Sequence, residues 1–348
     1  MGSVKMAVKI GNLNINSFVY VPPMAGVTDL VFRSLIRKLD PSCLLATEMV
    51  SSRGLMNNPN CRIMHIGENE TPIGIQLFGH EPDVMAKAAK LAVASGADFI
   101  DINMGCPVPK ITKGKDGCAL MREPSLAREI VIAVKESVDI PVTVKFRLGW
   151  DDGSKNAVEF GQMIEASGAS AVTVHGRTRA QLYSGKADWD FIAAVKRNLS
   201  IPVFGNGDVF SLENAINLIE KTNCDGVAIA RGTMGNPWLA HRINQYLIHS
   251  KIVEEPGLIE RLTWAYTHAK MLVEYKGPRI GINESRRHVI NYTKGMLHGA
   301  TYRGQLTQIN NLDELKDILL NLSHAIGGII AQDELKAALN QELLEVKA

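Results

Sequence analysis

Cys106 lies in the pentapeptide Asn103-Met104-Gly105-Cys106-Pro107, directly after the apolar run Phe99-Ile100-Asp101-Ile102. The glycine before the thiol permits a tight turn and the proline after it cannot extend a central strand, so the side chain is expected to project from a strand's rim. Such a thiol either transfers a proton or attacks as a nucleophile, or it is an inert small residue filling a turn. Other polar residues follow short apolar runs in the same way. They are Pro23-Met24-Ala25-Gly26, Glu48, Gln76, Lys145 with Arg147, His175 with Arg177, Gly205-Asn206-Gly207-Asp208 and Ala230-Arg231-Gly232. Singly, His175 reads as a structural histidine, Gln76 as a strand-end hydrogen bonder and Lys145 as a snorkelling lysine. Recurrence at successive run ends favours a common site.

The two Gly-rich stretches, 205–207 and 230–232, expose backbone N–H groups, and Arg231 adds a bidentate donor. Together they suit the phosphate of a ligand. Lys145 can stabilise an anionic ring such as a reduced flavin near N1 and O2, and the Gln76 amide can hydrogen-bond its pyrimidine edge. Flavin mononucleotide satisfies all three features. A strand-end lysine beside a phosphate site also describes a Schiff-base aldolase.

The apolar runs that must position these groups lie at residues 18–21, 44–47, 73–77, 99–102, 142–146, 171–174, 202–204 and 226–230. Segments with helical spacing, such as 83–94, 125–137, 157–167 and 212–221, fall between them. Eight such units predict a closed parallel (β/α)8 TIM barrel, an α/β fold whose active site lies at the C-terminal mouth, where the polar residues stand. No G-x-G-x-x-G follows the first run, which speaks against a doubly wound dinucleotide fold. Residues 8–19, turning at Gly11-Asn12, are expected to form a hairpin across the N-terminal end of the barrel. Amphipathic segments at 258–275, 283–297 and 312–326 predict a small all-helical C-terminal domain. The expected division is 1–245 for the barrel with its hairpin and 246–348 for the helical domain and tail.

From 276 to 303 the chain carries Lys276, Arg279, Arg286, Arg287, Lys294 and Arg303 against Glu284, six minus one or +5 locally. This is either a solvated helix face or a polyanion-binding surface. The whole chain of 348 residues has 38 basic and 36 acidic residues, so bulk charge does not argue for nucleic acid. Five cysteines at 43, 61, 106, 118 and 224 contain no C-x-x-C pair, which fits a reducing compartment and gives no thiolate-pair metal site. No apolar run approaches the ~18 residues of a membrane span, and the N-terminus lacks a signal-peptide core. The expectation is a cytoplasmic protein with no membrane contact, no metal and no obligate protein partner.

In order along the chain stand P-M-A-G-V-T-D at 23–29, I-Q-L at 75–77, N-M-G-C-P at 103–107, V-K-F-R-L-G at 144–149, V-H-G-R-T-R at 174–179, G-N-G-D at 205–208 and A-R-G at 230–232. With Glu284-Ser285-Arg286-Arg287-His288 and Asn291-Tyr292 in the tail, this chain resembles the bacterial tRNA-dihydrouridine synthases, nearest their B-type branch. Cys118 departs by replacing a more usual serine, and the loop 110–116 is lysine-rich in its own way. The resemblance implies reduction of tRNA uridines to 5,6-dihydrouridine with FMN and NADPH. It further implies a hydride from flavin N5 to C6 and a proton from Cys106 to C5. By it, Pro23, Met24, Ala25, Gln76, Lys145, His175, Asn206, Gly207, Asp208, Ala230, Arg231 and Gly232 hold FMN. Asn103 and Arg147 read the uracil edge, and Arg177, Arg179, Arg286 and Arg287 meet tRNA. A flavin enzyme acting on a free pyrimidine and a non-catalytic RNA-binding barrel are the alternatives.

Overall fold

The computed structural model describes residues 8–340. A two-stranded antiparallel hairpin, β1 (Val8–Ile10) and β2 (Leu13–Ile15), precedes a parallel sheet of β3 (Val19–Val21), β4 (Leu44–Ala46), β5 (Val50–Ser51), β6 (Ile73–Phe78), β7 (Phe99–Met104), β8 (Val142–Arg147), β9 (Ala171–His175), β10 (Val203–Asn206) and β11 (Gly226–Ala228). Pairing runs β4-β3-β11-β10-β9-β8-β7-β6, and β4 also pairs with β6, so the ring closes. The short β5 pairs with β6 beyond β4, as a continuation of the second strand position. The (β/α)8 barrel is therefore the fold.

Helices α1 (Leu30–Leu39), α2 (Ser52–Asn57), α3 (Pro82–Ala94), α4 (Pro109–Thr112), α5 (Pro124–Ser137), α6 (Ala157–Ala166), α7 (Trp189–Arg197), α8 (Leu212–Thr222) and α9 (Trp238–His249) follow the strands. Successive strand residues face opposite ways. Ile75, Ile100, Ile102, Val144, Phe146, Val172 and Val174 form one buried cluster with helix residues such as Ala88, Ile130 and Phe160. The opposite set changes character along the barrel axis. Tyr20, Leu44, Phe99, Ala171, Phe204 and Ala228 pack with Val8, Ile10 and Ile15 of the hairpin, which seals the N-terminal end as expected.

Strand ends differ from the sequence expectation by one or two residues: β6 to β10 outlast their apolar runs because ladder pairing continues, whereas β4 and β11 stop short of theirs. β7 continues through Asn103 and Met104, opposite Lys145 and Phe146 of β8, and the turn to Cys106 begins only afterwards. Beyond the barrel come α10 (Leu258–Lys276), α11 (Pro278–Tyr292), α12 (Gly299–Leu306) and α13 (Leu312–Leu339), the last with a non-helical Gly328 inside. α11 starts earlier than its apolar spacing suggests, since Gly277 at φ +84° breaks α10 and Pro278 takes the first helical turn. The expected boundary at 245/246 falls within α9, and residues 250–257 separate that helix from α10.

Val31 and Leu35 of α1 bury against Met271 and Leu272 of α10, and Trp238 of α9 joins the core of α10, α11 and α13. The helical layer is thus fixed beside the first and eighth strands of the ring. Among the described residues no helix is long and apolar enough to cross a membrane.

Candidate active site

Ladder register sets the polar residues at matching heights. Gln76 lies opposite Asp101, Asn103 opposite Lys145, Arg147 opposite His175, and His175 opposite Asn206. Residues two apart on one strand share a face, so Asp101 and Asn103, or Thr143, Lys145 and Arg147, rise in steps up the interior. The interior thus passes from aromatic at the hairpin end to polar at the opposite mouth.

Asp101 is the lowest polar group. It accepts from Tyr20 Oη (3.0 Å), Gln76 Nε2 (2.5 Å) and Thr143 Oγ1 (2.7 Å), while burial pushes its carboxyl above the usual range. The donation fixes which way the Gln76 amide points. Its Oε1 then accepts from Asn103 Nδ2 (2.7 Å), and Asn103 Oδ1 accepts from the N–H groups of Cys106 (2.8 Å) and Gly105 (3.1 Å). A continuous chain of hydrogen bonds therefore runs from the barrel floor to the backbone of the thiol residue. Burial raises the Cys106 thiol above its ordinary value, against the weaker pull of the Val108 N–H, Arg147 and Lys145. The thiol stays protonated at neutral pH.

Lys145 Nζ donates to Asn206 Oδ1 across the interior (3.2 Å), and Asn206 Nδ2 donates to Ala228 O (2.7 Å). Burial, then the neighbouring Arg147, brings the Lys145 ammonium down to about 8. Burial and the surrounding Lys145, Arg147, Arg177 and Arg231 keep His175 well below the usual imidazole range, so it is neutral. Arg147 is 2% exposed; it donates from Nε to Gly105 O (2.9 Å) and from Nη1 to Thr178 O and Leu182 O (2.8 and 2.9 Å). It thereby ties the loops after β7 and β9 to the end of β8.

At the seventh and eighth strands, Gly207 has φ +130° and Asp208 φ +58°. A Cβ on Gly232 would meet Val209 O at 2.2 Å, so only glycine lets these two loops touch. The 3₁₀ turn Arg231–Thr233 starts here with its first N–H groups outside its own ladder. The Arg231 guanidinium lies over Tyr183 (4.9 Å) and Phe210 (5.4 Å) and 3.5 Å from Asp208 Oδ1.

One cavity of about 480 Å³ opens between these groups, within the roughly 300–1,000 Å³ range of small-molecule and cofactor sites. All twelve residues expected at a cofactor line it, as do Cys106, Asn103 and Arg147. Sequence reasoning missed Met49, Tyr183 and Phe210, which also line it; the two rings are 55% and 49% exposed. Two such rings near the mouth motifs were a usable signal, because exposed aromatics at a concave site are unusual.

The four remaining arginines do not line the cavity, and three are committed elsewhere. Arg177 is 1% exposed; its Nη2 donates to both oxygens of Asp208 (2.8 Å each) and to Gly185 O (2.7 Å). The resemblance expects it to meet tRNA; here its guanidinium is turned into the chain's own loops. Its Nη1 is buried without a partner beside Gly207. Arg179 stacks 4.5 Å over Trp150. Arg286 donates through Nε and Nη2 to Ile309 O (2.9 and 2.6 Å), and Arg287 Nη1 donates to Gly26 O (2.9 Å). Lys276 pairs with Asp29 and with Glu284 (2.6 Å). Three of the six local basic residues therefore join parts of this chain to one another.

A closed parallel barrel with a protonated thiol, a cooled lysine and a phosphate-type loop pair at its C-terminal mouth defines a (β/α)8-barrel enzyme. Comparison with known proteins specifies it further. The family model described as dihydrouridine synthase matches residues 20–327. The chain is 49% identical over 312 residues to the probable tRNA-dihydrouridine synthase 1 of Synechocystis, covering 89% of this chain and 88% of that protein. It is 38% identical over 308 residues to the tRNA-dihydrouridine synthase B of Pseudomonas aeruginosa, covering 88% and 92%. The solved 6-hydroxypseudooxynicotine amine oxidase of Pseudomonas geniculata aligns with a TM-score of 0.53 at 17% identity. That alignment covers 79% of this chain and 52% of the oxidase, a likeness of fold. The chain belongs to the dihydrouridine synthase family, oxidoreductases that make dihydrouridine from uridine.

Proposed function

We propose that this protein uses FMN and NADPH to reduce uridines of tRNA to 5,6-dihydrouridine, in the cytoplasm. The carrying observation is that Cys106, Lys145 and the paired phosphate-type loops line one cavity. The cavity fits FMN by its donor set. Gly207, Asp208, Ala230, Arg231 and Gly232 would hold the phosphate, with the unpartnered Arg177 Nη1 as a second cation beneath Gly207. Pro23, Met24, Ala25, Gln76, Lys145, His175 and Asn206 would hold the ribityl chain and ring. When bound there and reduced, FMN would supply the hydride chemistry that uracil C6 needs.

The chain's own residues do the rest. Lys145, charged below pH about 8, would favour negative charge on a flavin ring held in this cavity. Cys106, held protonated by burial, gives its proton to C5 from the turn that Asn103 fixes. Arg147, whose Nη2 takes no part in its three loop bonds, and Asn103, whose Nδ2 also reaches Met49 Sδ (3.7 Å), would read the uracil edge. Tyr183 and Phe210 at the rim would cover part of a bound ligand. The barrel through α9 would form the cofactor part and α10 to α13 the part that meets tRNA, through Arg279, Lys294, Arg303 and the outer faces of Arg286 and Arg287, with Arg179 joining from the barrel.

Purified protein is expected to be yellow, to bleach anaerobically with NADPH, and to regain colour with tRNA lacking dihydrouridine. A colourless protein that never takes up FMN, or recovery with orotate but not tRNA, would sink the reading.

A further inference from the structure

The lysine-rich loop after Cys106 has no role in the chemistry above. It leaves Cys106 and returns to it: Cys118 N donates to Cys106 O (3.1 Å). Gly117, at φ +59°, is where it returns, and a Cβ there would sit 2.8 Å from the same carbonyl. On the outer side, Asp116 is paired with His80 Nδ1 (2.7 Å). The loop is therefore anchored at both ends, and Val108 at its start lines the cavity.

Between the anchors stand Lys110, Lys113 and Lys115, all exposed and none in an ion pair among the described residues. Lys110 in the single turn α4 and Lys113 at its C-cap, still right-handed in backbone, are three apart, so they share a side. Lys115 has φ +66°, a left-handed conformation that glycine or asparagine adopts with less strain. A cation is thus held where the backbone alone would favour another residue, an outlier of the kind that accompanies function.

Topology adds the decisive point. β7, which precedes this loop, is the fourth strand of the ring, whereas the helical layer packs on α1 and α9, which follow the first and eighth. The loop therefore stands across the mouth from the helical layer. An RNA strand that lowers one uridine into the mouth must carry backbone away on both sides of it.

We propose that residues 109–115 form an RNA-backbone clamp, in which Lys110, Lys113 and Lys115 neutralise phosphates on the rim opposite the helical layer. The clamp rests on the reading that tRNA is the substrate. It grips backbone rather than base, so it raises affinity without choosing a sequence.

The test is tRNA binding by fluorescence anisotropy between about 50 and 200 mM salt. A Lys110→Ser, Lys113→Ser, Lys115→Gly triple variant is expected to bind roughly tenfold more weakly, with the slope of log K against log salt reduced by about two to three. A control pair, Lys87→Ser with Lys90→Ser on the exposed face of α3, is expected to keep the wild-type slope. Lys115→Gly alone relieves the left-handed backbone, so its melting temperature should hold or rise while affinity falls; it decides the matter if the triple variant does not fold. A wild-type slope in the triple variant, or an equal loss in the control pair, overturns the clamp. Wild-type protein that fails to bind tRNA overturns the substrate reading instead.

Discussion

At the scale of single residues, Cys106 and Lys145 have opposite requirements that one environment meets. Burial disfavours charge, so it keeps the thiol protonated and loosens the proton of the lysine. Cys106→Ala is expected to slow reoxidation of the reduced protein by tRNA by about 10²- to 10⁴-fold, read in single-turnover kinetics. Lys145 gives a pH signature. Its folded value of about 8 means that the cation is lost above that pH, so the affinity of the apoprotein for FMN should fall as pH rises through 8 to 9. Lys145→Met should bind weakly and show no such fall. The same shift runs the other way in stability: between about 8 and the unfolded value of 10.5, the unfolded chain holds the extra proton. This group's contribution therefore rises with pH in that window, and urea titrations of wild type against Lys145→Met should show it.

At the scale of elements, the loop from Pro23 to Asp29 joins the cavity to the helical layer. Glu48 accepts from Gly26 N–H, Arg287 Nη1 donates to Gly26 O (2.9 Å), and Lys276 pairs with Asp29, which also caps α1 by accepting from Phe32 N (2.9 Å). Since Met24 and Ala25 line the cavity, Arg287→Ala is expected to weaken FMN binding about two- to tenfold, the scale of one lost hydrogen bond. An arginine serving RNA alone would leave FMN affinity unchanged, and equilibrium dialysis separates the two. Gly235 has φ +67° and its Cβ position lies 2.2 Å from the carbonyl carbon of Asn291, so the eighth-strand loop touches the end of α11 without room for a side chain. Gly235→Ala should therefore lower unfolding stability by about 1–3 kcal/mol or more, measured by urea denaturation.

At the scale of the whole molecule, the junction of barrel and helices is expected to be acid-labile. His268 and His288 stack at 4.1 Å beneath Phe32 and Tyr292, and burial holds both neutral, His288 at about 4. Asp29 pulls His288 upward, while Arg287 and Lys276 push it down. A base whose folded value is depressed binds fewer protons than the unfolded chain between about 4 and 6.5, so stability should fall on acidification across that window. His288→Phe should flatten the fall, which thermal melts at stepped pH would detect.

Much of this molecule is legible in one dimension. Eight apolar runs with helical segments between them imply a parallel ring, because parallel neighbours need a crossover, and the polar residues after each run then share the C-terminal mouth. Cys106, Lys145, Gln76 and the two Gly-rich loops could be assigned to one site because each lies within a few residues of its strand end. The arginines could not be assigned that way. Arg177 and Asp208 are 31 residues apart, and Arg287 and Gly26 are 261 apart. A local pattern reports which face of an element a residue occupies, but not the acceptor that closing the barrel and docking the helices bring to its guanidinium. Local pattern is enough to give the ring and the mouth, because strand runs, crossovers and the residues just after them are neighbours along the chain. Only the tertiary structure decided which cations bind this chain to itself and which remain for a partner, since a long charged side chain is committed by whichever carbonyl or carboxylate packing sets within reach.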